Sequence, residues 1–221
     1  MRKIEILNIS LVFSFPNTTT RGPHAHPSTA VFAPKSYMLL KSAVDHCLKI
    51  ESGGCLQGRN GPIATWDVSG AQHMQGLFQN AKNFNGDITN WDVSRIDVME
   101  SMFQGTGRFT RDLSKWDVSR VNDMASMFRD SVFGAYSGGR IENWDVSHVI
   151  YMESMFKGNP VFNRDLSKWD VSRVQNMRSM FEGATGFRQK LCGPAWVHST
   201  AHKDGMFVQS PGSICGSYVC P

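Results

Sequence analysis

Five aspartates of this 221-residue chain share one repeated context: Asp67, Asp92, Asp117, Asp145 and Asp170, spaced 25, 25, 28 and 25 residues apart. The last four are each followed by a basic or imidazole side chain: Arg95, Arg120, His148 or Arg173. Two of them follow a lysine two residues back, Lys115 or Lys168. Carboxylates beside cations can move protons, hold a metal ion or recognise a ligand. General acid–base catalysis needs two carboxylates whose environments push their pKa values apart. Repeated copies of one environment offer the opposite, so no catalytic residue is expected among them. The sequence also holds no phosphate-binding glycine loop, no nucleophile elbow and no metalloprotease helix. We therefore expect no enzyme, no cofactor and no metal site. Recognition remains, with Asp92, Asp117, Asp145, Asp170, Lys115, Lys168, Arg95, Arg120, His148 and Arg173 as a candidate binding face. The competing reading is structural: like charges one strand apart repel, and each Asp could be used up accepting bonds from nearby backbone, Ser or Lys groups.

The five cysteines all lie outside the repeats. Cys47 and Cys55 are the first candidate disulfide. Cys192, Cys215 and Cys220 offer a second pair and leave an odd thiol. The alternative is free buried thiols in an intracellular protein. No Cys-x-x-Cys occurs, and the spacings fit no common zinc finger. His24 and His26 sit in a proline-rich stretch and read as solvated rather than as ligands.

The elements that must position these residues are repeats. Trp-Asp-Val-Ser begins at Trp66, Trp91, Trp116, Trp144 and Trp169. Eight residues after each Trp comes a Met, then, three further on, a Leu or Met followed at once by Phe; a second Phe closes the unit. Nine of 12 Met and 10 of 14 Phe fall at these positions. Trp-Asp-Val alternates apolar and polar as a half-buried strand does, so the Trp residues are expected inside as structural core. With the apolar residue three before each Trp, the unit has the Leu-x-x-Trp-x-Val spacing of a leucine-rich-repeat strand. Met-x-x-Met-Phe has the three-and-four spacing of a short helical turn. The expected fold is an α/β solenoid, a leucine-rich-repeat-like right-handed coil stack of parallel strands plus short helices, capped at both ends.

The expected organisation is a leader at 1–33, a helical N-terminal cap at 34–61, five tandem repeats at 62–190, and a degenerate sixth coil and C-terminal cap at 191–221. Leu40, Val44, Cys47 and Leu48 lie at helical spacing in the first cap. Trp196 and Met206-Phe207 echo the repeat in the second. The leader carries an apolar run, Ile6 to Phe15, after Arg2 and Lys3, which reads either as a signal peptide or as a disordered segment. Asn17-Thr18-Thr19 is a glycosylation sequon. No stretch reaches the roughly 18 to 20 apolar residues of a spanning helix. Net charge is +4, yet fifteen basic and fifteen acidic side chains balance between Trp66 and Lys190. A nucleic-acid partner should concentrate basic charge on the folded surface, so none is expected.

The units Trp-Asp-Val-Ser-x-Val-x-x-Met-x-x-Met-Phe and Phe162-Asn163-Arg164-Asp165-Leu166-Ser167 resemble the BspA-like leucine-rich repeat family of surface proteins, in the branch found in mycoplasma lipoproteins. The resemblance covers about residues 62–190. It implies a non-enzymatic surface or secreted protein that adheres to other proteins or to cells, and it names no ligand. The expected function is thus a repeat-based binding module for a protein or polysaccharide, extracellular or at the cell surface. The alternative is a cytoplasmic interaction scaffold.

Overall fold

Two successive β-turns, not a helix, occupy the Met-x-x-Met-Phe segment of each repeat. In this computed structural model, which describes residues 31–51, 53–136 and 139–216, the second repeat shows the pattern. The Met102 amide donates to the Met99 carbonyl at 3.2 Å, and the Thr106 amide to the Phe103 carbonyl at 3.2 Å. The third residue of each turn is left-handed, Ser101 at φ 56° and Gly105 at φ 70°. That is the type II pattern. The same two positions are left-handed in every repeat, filled by Gly76, Ser126, Ser154 and Ser179 in the first turn and by Asn80, Asp130, Gly158 and Gly183 in the second. A helix cannot pass through residues of that hand.

The amides between these turn bonds cross to the next repeat. Met99, Ser101, Phe103 and Gly105 donate to the carbonyls of Asp123, Ala125, Met127 and Arg129 at 2.8 to 2.9 Å. The pattern recurs at each junction from Met74 to Gly183. It produces only single-residue parallel bridges, running His73, Val98, Asp123, Tyr151, Asn176, His202.

The expected α/β solenoid of parallel strands and short helices is therefore corrected. Among the described residues the strands are β1 (Lys190–Leu191) and β2 (Ser213–Ile214), paired in parallel as one small sheet. The helices are α1 (Tyr37–Ile50) and α2 (Pro194–Val197), with one 3-10 turn at Ile63–Thr65. No repeat contributes a strand at Trp-Asp-Val. The reason lies in where the amides go. Each Trp amide donates back to the apolar residue three before it, as Trp91 does to Ile88 at 3.1 Å. The residue two past each Ser donates back to the Val, as Ile96 does to Val93 at 2.9 Å. Amides closed into turns cannot build a ladder.

What the repeats share is a core. Phe78, Phe103, Phe128, Phe156, Phe181 and Phe207 stack at 5.5 to 5.7 Å between ring centroids. Phe84, Phe109, Phe133, Phe162 and Phe187 form a second column. The Met and Val positions are buried between these columns and the Trp residues. Each large side chain so buried contributes roughly 1.5–3 kcal/mol.

Segments outside the repeats pack against the first and the last of them. Ser36 caps α1 by accepting from the Leu39 amide, and Leu40, Ala43, Val44 and Cys47 face the core. Phe32, which the sequence groups with the leader, packs edge-on against Trp66 at 4.9 Å. At the other end Trp196 is fully buried in α2, and the Phe181 amide bonds to the Met206 carbonyl. Gly193 is required there, because a Cβ would lie 1.9 Å from the Ser167 carbonyl oxygen. Ile6–Phe15, Asn17, His24, His26 and Cys220 lie outside the described residues, as do Ser137 and Gly138 in the longer, 28-residue spacing.

Candidate functional site

The candidate face is built by a side-chain-closed turn after each Trp. Oδ1 of Asp67, Asp92, Asp117, Asp145 and Asp170 accepts the amide of the Ser two residues on, at 3.0 to 3.1 Å. In the first two repeats the Ser hydroxyl also donates, at 2.6 Å. This Asx-type closure explains why the chain writes Asp-x-Ser here. It also holds the carboxyls of Asp67, Asp92, Asp145 and Asp170 below the usual range, through the Ser donors first. Asp67 pushes against Asp92, and Asp145 against Asp170, which raises each a little. Arg95 offsets this at Asp92, and His148 adds to the lowering at Asp145.

All the face residues singled out in the sequence are exposed: Asp92, Asp117, Asp145, Asp170, Lys115, Lys168, Arg95, Arg120, His148 and Arg173. Arg95, Arg120, His148 and Arg173 directly follow the Asp–Ser closure, whereas Lys115 and Lys168 lie before it, in the turn closed by the Trp116 or Trp169 amide. The aspartates thus serve the backbone and the surface together, while the cations carry no such closure.

Trp66, Trp91, Trp116, Trp144 and Trp169 lie inside, none more than 5% exposed. Their indole N–H groups are used across repeats. Trp91, Trp116, Trp144 and Trp169 donate to the carbonyls of Ile63, Ile88, Leu113 and Ile141 at 3.0 to 3.1 Å. A ring so placed cannot stack on a sugar. Cys47 and Cys55 are bonded with Cα atoms 5.5 Å apart, and Cys192 is bonded to Cys215 at 4.8 Å.

The sequence reading missed a second polar surface, made by the turn pairs. Its side chains meet side chains of the next repeat: Gln75 with Glu100, Gln79 with Gln104, His73 with Asp97, Lys157 with Glu182. Burial raises the pKa values of Glu100 and Asp123, with Asp123 and Glu153 adding to the effect at Glu100. Where the fourth and fifth repeats meet the segment that follows them, this surface forms a groove of about 680 Å³ lined by Tyr151, Arg173, Arg178 and His202 among others. A more apolar groove lies beside Tyr136, which is 90% exposed. The signal for both lay in positions that vary from repeat to repeat while the core does not. Among the described residues, no three His, Cys, Asp or Glu side chains converge as a metal site requires. No helix there is long and apolar enough to cross a membrane.

These features define a protein of tandem, turn-built repeats of about 25 residues. The family described as "Mycoplasma protein of unknown function, DUF285" matches residues 52–135 and 132–213, and the chain belongs to it. No curated protein and no solved structure matches the chain.

Proposed function

We propose that the chain is a non-catalytic recognition module that captures a protein or polysaccharide ligand, outside the cell or at its surface. The observation that carries this reading is the row of exposed cations, Arg95, Arg120, Lys115, Lys168 and Arg173, on turns whose conformation does not depend on them. A surface held in place by a separate core can present charge without reorganising on binding. The resemblance to BspA-like surface proteins supports the same reading. So do the two cystines at the ends of the stack, which suit an oxidising compartment.

The test uses cations rather than aspartates, because replacing an Asp would open its turn. The triple variant Arg95→Glu, Arg120→Glu, Arg173→Glu is compared with the parent for capture by immobilised heparin, hyaluronan, dextran and gelatin. The expected result is capture of at least one surface by the parent, lost in the variant at unchanged melting temperature. Capture that survives the charge reversal, or no capture by the parent, would overturn the proposal.

A further inference from the structure

The positions around the first turn of each pair change charge along the chain. In the second to fourth repeats they carry Asp97, Glu100, Asp123 and Glu153. In register with Glu100 and Glu153 the fifth repeat has Arg178, and in register with Asp123 it has Asn176. Arg173 and His202 stand beside them. Neither the core nor the turns require these changes, since the same backbone bonds form with either set. The departure from the repeat coincides with the 680 Å³ groove, whose lining includes two arginines and no carboxylate.

The groove is preorganised. Its floor is fixed by the Gln175 amide on the Ile150 carbonyl, the His202 amide on Gln175 and the Met177 amide on His202, at 2.8 to 2.9 Å. Its cations are available. Arg178 faces Asp204 at 3.6 Å with both side chains mostly exposed, and such a pair is weak and exchangeable. Arg173 has no ion pair among the described residues. Ser172, Gln175 and Thr200 add hydroxyl and amide groups, and Tyr151 is 42% exposed at the rim. Two cations favour an anion. Neutral donors and acceptors suit hydroxyls, and an exposed phenol ring suits the apolar face of a pyranose. The volume lies within the range of small-ligand sites.

We propose that this groove binds an acidic saccharide, with Arg173 and Arg178 on the carboxylate or sulfate and Tyr151 against the ring. The proposal rests on the reading of the chain as a recognition module and names its ligand class.

The full chain is titrated calorimetrically with a hyaluronan tetrasaccharide, a heparin-derived tetrasaccharide, uncharged maltotetraose and a poly-Glu peptide. The expected result is binding of one or both acidic saccharides, weakened by salt, with none for maltotetraose. Binding of the hyaluronan fragment assigns a carboxylate, and binding of the heparin fragment alone assigns a sulfate. Arg178→Ala should weaken binding about tenfold or more, the loss expected when a charge-assisted hydrogen bond is removed. Arg188→Ala, at an exposed arginine that lines neither groove, should leave it unchanged. Equal binding of maltotetraose or poly-Glu, no binding of either acidic saccharide, or indifference to Arg178→Ala would overturn the proposal. If Arg95→Glu and Arg120→Glu abolish saccharide binding while Arg178→Ala does not, the groove assignment fails and the recognition reading stands.

Discussion

Trp116 does two jobs, and its removal separates them from surface chemistry. The ring fills the core at 4% exposure, and its indole N–H holds the Ile88 carbonyl of the preceding repeat at 3.1 Å. Trp116→Ala should cost about 3–5 kcal/mol, as aromatic truncations in packed cores do. Chemical denaturation checks this, and a loss under about 1 kcal/mol would place the ring outside the core. The aspartates govern acid stability. Asp67, Asp87, Asp92, Asp145, Asp165 and Asp170 have carboxyls held below their ordinary value by Ser or Thr donors. A carboxyl whose folded pKa is depressed stabilises the fold above its unfolded value and loses that contribution as pH falls through the folded value. Glu100 and Asp123 are raised and act in the opposite sense, but they are outnumbered. Melting temperature should hold from neutral pH to about pH 5 and fall below about pH 4, where ordinary carboxyls titrate. Melts that stay level or rise as pH drops to 3 would contradict this assignment.

The turn pair is the element on which sequence reading and structure part. The apolar columns were legible because Trp, Met and Phe recur in phase, and the helical spacing of Leu40, Val44, Cys47 and Leu48 marked residues that all lie in α1. Strand and helix were misread because consecutive four-residue turns place apolar residues three and four apart, as a helix does. The distinguishing signal was the small or turn-forming residue at two fixed positions, such as Ser101 with Gly105 and Ser126 with Asp130. The candidate face was legible as exposed charge, but the aspartates' role in closing turns depends on bond geometry that no spacing reveals. Of the groove's charged lining the sequence singled out Arg173 alone, and no spacing shows that Tyr151, Arg178 and His202, from successive segments of the chain, meet beside it. Left-handed backbone makes a direct prediction. Gly105→Ala places a Cβ at φ 70°, 2.6 Å from Asn80 Oδ1, and should cost about 1–2 kcal/mol. An unchanged denaturation midpoint would mean that the second turn of the pair is not left-handed.

The described repeats form a stack in which each contacts its neighbours, so the segments at its two ends bear on stability. The Cys192–Cys215 bond closes a loop of 23 residues at one end. Restriction of the unfolded chain alone gives such a loop about 3 kcal/mol. Cys192→Ser should lower stability by about that amount, and under native conditions Cys47, Cys55, Cys192 and Cys215 should resist alkylation until reduced. Ready alkylation of these four in the native protein would place the chain among reduced scaffolds. The turn-built repeats are tied together through the Trp indoles and alternate turn amides. Hydrogen exchange followed by NMR tests this most directly. The indole N–H groups of Trp91, Trp116, Trp144, Trp169 and Trp196, and the amides of Met99, Ser101, Phe103 and Gly105, should exchange only through global unfolding. Rapid indole exchange, with protection centred instead on Trp-Asp-Val amides, would contradict the account and restore a ladder of strands.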